Sequence, residues 1–250
     1  MYPYLDHGGP IAMAHRGGAL HPDNIGYENS LRAFRHAVGL GYRYLETDLH
    51  ATSDGMVVAF HDKRLDRVTD RTGVIAELPW SEVKQARING KEPIPLLTEV
   101  LEELPETRLN LDIKADNGVG PAVEVIRKTN AIDRVCVSSF SQRRVQGVRR
   151  ALGDRLATGF GDREVALLRF TPFRVNTSGA CLQIPESFGS LKVLTSGLLR
   201  RAHALGKQVH VWTVDDPAIM HRLLDAGVDG LITDRTDLLK QVLVDRGQWV

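Results

Sequence analysis

The feature that most constrains this chain is an alternation. Short apolar runs rich in β-branched residues recur along the whole sequence, and segments with helical periodicity separate most of them. The strand candidates are residues 11–14, 44–49, 56–60, 108–113, 134–140, 156–159, 181–185, 209–214 and 230–234. Parallel neighbours in a sheet must be joined by a long crossover, usually a helix, so the pattern predicts an α/β fold with a parallel sheet. A length of 250 residues suits one TIM (β/α)₈ barrel, and a single domain over 1–250 is expected. Nine candidates compete for the eight places of such a barrel, so one is surplus. The link from Asp48 to His61 is short, carries the turn pair Asp54-Gly55 and predicts an excursion without a helix.

Helix ends are marked by capping residues. Ser30 precedes Leu31, Phe34 and Val38, with Gly41 beyond; Ser141 precedes Val145, Val148 and Leu152, with Gly153 beyond. Asp216-Pro217 opens a helix through Met220, Leu223 and Leu224 that closes at Gly227, and a last helix begins near Thr236. Residues 62–95 break the rhythm. They are polar, rich in Arg and Asp, and hold one short helical signal, SEVKQAR, which predicts a small loop insertion or cap over the barrel mouth.

Charge excludes some partners. The 32 basic and 31 acidic side chains leave a net charge of +1, which gives no reason to expect nucleic acid or a membrane surface. No apolar run is long enough to span a bilayer, and MYPYLDHGGP lacks the pattern of a signal peptide, so a cytoplasmic location is expected. Cys136 and Cys181 lie in apolar runs and read as buried free thiols. Oligomeric state leaves no mark in the sequence.

Candidate chemistry gathers at strand ends. Glu46 and Asp48 are two apart in a strand, so they share a face with Cα atoms roughly 6.5–7 Å apart. Two carboxylates so placed call for a cation or for basic side chains, and both readings stay open. Asp112 and Lys114 share a face in the same way, as an ion pair or as separate groups for a cation and a phosphate oxygen. His15 and His61 end strands, where barrel enzymes keep their chemistry, and a histidine pair can act as base and acid across a phosphate. Arg16 offers a forked donor for an anion, and Gly17-Gly18 permit close backbone approach or a turn. Trp212 suits either a substrate's apolar side or the core, and Asp234 either the rim or a helix cap. The other histidines, His21 and His36 among them, have no spacing that marks a site.

Together AHRGG (14–18), ENS (28–30), ETD (46–48), DG with FHD (54–55, 60–62), NLDIK (110–114), SSF (138–140), VWTVDD (211–216) and GVDGLITDR (227–235) resemble, in order and spacing, the glycerophosphodiester phosphodiesterase family. The resemblance spans nearly the whole chain. It implies a TIM barrel of the phospholipase-C-like phosphodiesterase type, and hydrolysis of glycerophosphodiesters to sn-glycerol 3-phosphate and an alcohol. It implies one divalent cation, Mg²⁺ or Ca²⁺, on Glu46, Asp48 and Asp112, the last standing where the family usually has Glu. It assigns catalysis to His15 and His61, and substrate binding to Arg16, Lys114 and Asn29, with Trp212 beside them. In that scheme the glycerol 2-hydroxyl attacks phosphorus and water opens the cyclic product, with His15 as base and His61 as acid. The stretch Ala19–Tyr27 looks longer than the family's usual link and would shape substrate access.

Three other functions compete. A lysophospholipase D would use the same machinery and should show a long apolar channel beside Trp212. A barrel amidohydrolase would want HxH at the first strand, where this chain has HRGG. A non-catalytic phosphodiester-binding barrel would have lost a histidine or acidic position, and only Asp112 departs from the pattern.

Overall fold

The computed structural model describes residues 2–171 and 177–250. Eight parallel strands form the barrel: β1 (Ile11–His15), β2 (Tyr44–Ala51), β3 (Arg108–Ile113), β4 (Val135–Ser138), β5 (Ala157–Thr158), β6 (Cys181–Ile184), β7 (Gln208–Val211) and β8 (Gly230–Thr233). Their hydrogen-bonded order is β5-β4-β3-β2-β1-β8-β7-β6. Between β5 and β6 the ring closes through one isolated parallel bridge, Gly159 to Cys181, flanked by Ala180 N–H to the Thr158 carbonyl (2.7 Å) and Phe160 N–H to the Cys181 carbonyl (2.9 Å). The outer helices are α1 (Leu31–Gly39), α2 (Leu97–Glu103), α3 (Val119–Lys128), α4 (Gln142–Leu152), α5 (Asp162–Phe170), α6 (Ser196–Ala204), α7 (Pro217–Asp225) and α8 (Thr236–Asp245).

The surplus strand is Val57–Ala59. It pairs antiparallel with the outer end of β2, Leu49 opposite Ala59 and Ala51 opposite Val57, and is not a barrel stave. β2 therefore runs past the rim, and the returning strand carries His61 back toward it. Phe60 N–H bonds to the Asp48 carbonyl (2.9 Å), and a His50 ring nitrogen lies 3.0 Å from the His61 carbonyl.

Caps act as expected at both ends of the chain. Ser30 Oγ accepts from Ala33 N–H (3.2 Å), and Asp216 Oδ1 accepts from Ala218 and Ile219 N–H at 2.8 and 3.1 Å. Ser141 precedes α4 without a side-chain cap bond. Outward apolar residues of the strands pack with the helices in one large core, including Leu45, Leu111, Val137, Val209 and Leu231. Inward residues Ile11, Met13, Tyr44, Cys136, Cys181 and Ile232 fill the barrel's lower half. A 3₁₀ turn, Pro3–Leu5, closes the bottom: Tyr4 is buried in this cluster, edge-on to Tyr44, whose hydroxyl donates to the Tyr4 carbonyl at 2.7 Å. The two cysteines are free and buried, as predicted.

Residues 62–95 carry short turns and a two-residue hairpin, packed on a small core of their own that includes Phe60, Leu65, Ile75 and Ile88. SEVKQAR gives only one helical turn, Trp80–Val83, because the backbone leaves it for the hairpin, with Arg87 N–H held by the Asp70 carboxylate (2.7 Å). Among the described residues none from 62–95 lines the cavity at the mouth. No helix of the described residues is long and apolar enough to cross a membrane.

Candidate active site

Register builds the site. β1 and β2 place His15 opposite Glu46, while β2 and β3 place Asp48 opposite Asp112. Since alternate residues share a face, these side chains stack on the inner wall near the C-terminal ends of the strands. Lys114 follows β3, its N–H bonded to the Leu49 carbonyl (3.1 Å). All five, with Arg16 and His61, line a cavity of about 430 Å³. Its floor holds Asn110, Ser138 and Gln183, tied by Gln183 Nε2 to Asn110 Oδ1 (3.0 Å) and Asn110 Nδ2 to Ser138 Oγ (3.3 Å).

The turn after β1 is tight for a reason. Arg16 adopts φ 51°, and Gly17 and Gly18 follow at 84° and 86°. A β-carbon on Gly17 would lie 2.8 Å from that of Ala33, and one on Gly18 would lie 2.7 Å from Thr236. The glycines thus serve close approach to α1 and α8. Arg16 N–H then points at Glu46 (3.2 Å).

Both histidines are anchored alike. His15 Nδ1 bonds to Asp234 Oδ1 (2.8 Å) and His61 Nδ1 to Asp62 Oδ1 (2.6 Å). Each carboxylate fixes its ring and leaves Nε2 to meet a reactant. His15 Nε2 lies 3.7 Å from Glu46. Burial lowers the pKa of His15, but Glu46 and Asp234 outweigh it and the net shift is upward. Asp234 is held in turn by Asp215, whose Oδ1 accepts from the N–H of Asp234 (2.8 Å) and from Thr233 Oγ1 (2.9 Å). Asp62 is gripped by Arg67 (2.6 Å), which depresses its pKa to about 2, and Arg67 also reaches Glu28 (2.7 Å). Asp234 stood open between a rim group and a helix cap; Glu28 and Asp215 lay within the ENS and VWTVDD motifs without being singled out, and for Arg67 only the acidic-basic density of its segment gave a hint.

The acidic wall is crowded and buried. Glu46 and Asp48 are buried, and burial together with the Asp48 charge lifts Glu46 to a pKa of about 7. Asp48 is shifted down: burial opposes this, but Lys114 and Arg16 prevail. Burial raises Asp112 despite Lys114. Lys114 Nζ stands between the two, 2.7 Å from Asp48 and 2.6 Å from Asp112. Arg16 pairs with Asp48 and Glu28, each at 3.2 Å. Asn29, at φ 57°, is buried and does not line the cavity; its amide donates to Asp48 (2.9 Å) and accepts from Thr47 Oγ1 (2.7 Å).

The opposite wall is apolar. Phe140, Phe160, Phe170, Phe188, Leu191 and Trp212 lie there, with Trp212 edge-on to Phe140 at 5.7 Å. Phe188 and Leu191 sit on a short hairpin after β6 and are 69% and 46% exposed.

Residues 15–238 match the model of the glycerophosphoryl diester phosphodiesterase family. The chain belongs to that family. A Mycobacterium tuberculosis protein named "probable glycerophosphodiester phosphodiesterase 2" is 43% identical over 98% of this chain and 95% of its own length. Human lysophospholipase D GDPD1 is 28% identical, over 92% of this chain and 85% of its own. Among solved structures, an Oleispira antarctica phosphodiesterase in complex with the product sn-glycerol-3-phosphate superposes with a TM-score of 0.79 at 25% identity, covering 94% of this chain and 97% of that one. A glycerophosphodiester phosphodiesterase from Agrobacterium tumefaciens gives 0.77 at 21%, over 92% and 99%, and shares the fold.

Proposed function

We propose that the chain hydrolyses glycerophosphodiesters to sn-glycerol 3-phosphate and an alcohol, using one divalent cation on Glu46, Asp48 and Asp112 and proton transfer through His15 and His61. The observation that carries this is the convergence of two Nδ1-anchored histidines and three carboxylates on one cavity.

The residues fit a hard cation in chemistry. The donors are all carboxylate oxygens. Asp112 Oδ1 is buried without a hydrogen-bond partner, and Glu46 and Asp48 repel each other. The spacing is looser: the ligand atoms of Glu46, Asp48 and Asp112 do not all fall within 4.8 Å of one another. Ligation requires the Lys114 ammonium to yield its place between Asp48 and Asp112, which would free it for a phosphate oxygen. When bound, the cation would offset the negative charge of the phosphate oxygens and make the attacking hydroxyl more acidic. Arg16 and Lys114 orient the phosphate. His15 Nε2 takes the proton of the glycerol 2-hydroxyl as it attacks phosphorus, and His61 Nε2 gives one to the leaving alcohol; water then opens the cyclic phosphodiester, His61 taking its proton and His15 returning one to the 2-hydroxyl. Asn29 holds Asp48 in place from behind.

Glycerol 3-phosphate release from a panel of glycerophosphodiesters, with EDTA and then Mg²⁺ or Ca²⁺ restored, tests this. Release from at least one member that EDTA abolishes and one ion restores is expected; no metal-dependent release from any would refute it.

Single-chain phospholipids fit the same site. The apolar wall beside Trp212 gives an acyl chain a place next to the phosphate-reactive wall. Comparing kcat/KM on lysophosphatidylcholine and glycerophosphocholine separates the two substrate classes.

A further inference from the structure

A second set of metal-ligand side chains lies away from the cavity. His21 and Asp23 belong to the segment between β1 and α1, and His36 to α1 itself. The rings of His21 and His36 are 4.4 Å apart at 70°. Asp23 Oδ2 lies 3.8 Å from His21 Nδ1 and 3.7 Å from His36 Nε2. Among the described residues this is the one group in which three His, Cys, Asp or Glu ligand atoms all lie within 4.8 Å of one another. None of the three lines the cavity.

At 3.7 and 3.8 Å neither carboxylate contact is a hydrogen bond, so a simple ion pair accounts for this cluster poorly. A carboxylate with two imidazoles is a donor set that a divalent ion completes.

We propose that His21, Asp23 and His36 form a second metal site that takes Zn²⁺ or a similar borderline ion. Two imidazoles select such ions over Mg²⁺ and Ca²⁺, which prefer oxygen donors. A tetrahedral centre with bonds near 2.0–2.1 Å sets its ligand atoms about 3.3 Å apart. The two carboxylate contacts, at 3.7 and 3.8 Å, therefore need a closure of about half an ångström, while the two ring nitrogens start within 4.8 Å of each other. Asp23 can supply it, since its side chain is 75% exposed. His21 gives up one bond on ligation, because Asp23 N–H now donates to its Nδ1 at 3.1 Å. Water takes the open position on the exposed side. The ion clasps the β1–α1 segment to α1, just behind the turn that carries Arg16 and just ahead of Glu28 and Asn29. The site escapes sequence spacing because its donors come from a turn and a helix that meet only in the fold.

The test uses the full chain in excess Mg²⁺, which keeps oxygen-donor sites filled. Zn²⁺ binding is followed by equilibrium dialysis, and Co²⁺ binding by its visible absorption. Wild type is expected to bind one Zn²⁺, with a rise in Tm. Asp23→Asn and His36→Gln are expected to weaken that binding at least tenfold and to lose the Tm rise; Asp23→Asn alters an exposed side chain and keeps the test valid if His36→Gln folds poorly. Glu46→Gln is expected to retain it. Failure of wild type to bind Zn²⁺ under these conditions, or wild-type stoichiometry and affinity in Asp23→Asn, overturns the proposal. The result is independent of whether the cavity cuts phosphodiesters.

Discussion

His15 and His61 each have Nδ1 occupied by a carboxylate, so only Nε2 is available to a substrate. Replacing either by Ala is expected to cut turnover roughly 10²–10⁴-fold. The two variants should part on an aryl ester of glycerol phosphate, whose leaving group needs little protonation. His61→Ala should then recover much of its rate and His15→Ala should not; equal behaviour would undo the assignment of acid and base. Asp112→Glu extends the reach by one methylene toward the family's usual residue, and should hold activity at a lower metal concentration than wild type in a metal titration. Glu46 sets a pH dependence. Its pKa is about 7 in the fold against an ordinary 4.5, so the stability it contributes without metal is complete below 4.5 and is lost as pH rises through 7. A divalent ion offsets the charge repulsion that appears there, so the Tm gain on adding the ion should be larger at pH 8 than at pH 5.5 in a thermal shift experiment. Sequence spacing exposed Glu46 and Asp48 as one strand face, but not the opposition of Asp48 and Asp112, because β2–β3 register is set across the long intervening insertion. Arg67 was illegible for another reason: in a segment dense with Arg and Asp, a working guanidinium looks like any solvated charge.

Elements with strong local signals formed where the sequence placed them. The caps of α1 and α7 depend on neighbouring backbone alone, so Ser30 and Asp216 could be read directly. SEVKQAR could not, since its termination depends on Asp70, a residue outside the helix. The excursion after β2 was expected without a helix, yet its use in returning His61 to the mouth appeared only with the antiparallel pairing. The hairpin of Ser187–Phe188 and Leu191–Lys192 was not anticipated, because two-residue strands leave no periodicity. It supports a sharp expectation. Phe188 and Leu191 are exposed, so replacing both with Ser should leave the fold intact. Loss of one to two such apolar contacts should lower kcat/KM on lysophosphatidylcholine about tenfold to a hundredfold. Glycerophosphocholine, lacking the chain, should be unaffected. Equal losses on both substrates would show that the hairpin serves the chemistry and not the acyl group.

On the scale of the molecule, the (β/α)₈ architecture was readable because the alternation runs the length of the chain, while the plug at the barrel's floor was not. Tyr4 is 1% exposed and packs under Tyr44 through a ring contact and a carbonyl that its partner's hydroxyl needs. Tyr4→Ala should cost about 3–5 kcal/mol, as large aromatic truncations do in cores. For a domain of this size that lowers Tm by about 6–20 °C, with little change in KM, as calorimetry and kinetics can verify. The ladders around the ring are uneven. β2 and β3 pair over six residues and carry the acidic wall, whereas β5 has two residues and meets β6 through a single bridge beneath the apolar wall. The acidic wall, to which the proposed reaction is assigned, and the apolar wall thus lie on separate halves of one ring. On the proposed function, mutations that retune which tail is accepted can accumulate on the thinly laddered half without disturbing the geometry assigned to breaking the bond, so a lineage built on this scaffold can diversify its diet while its chemistry stays fixed.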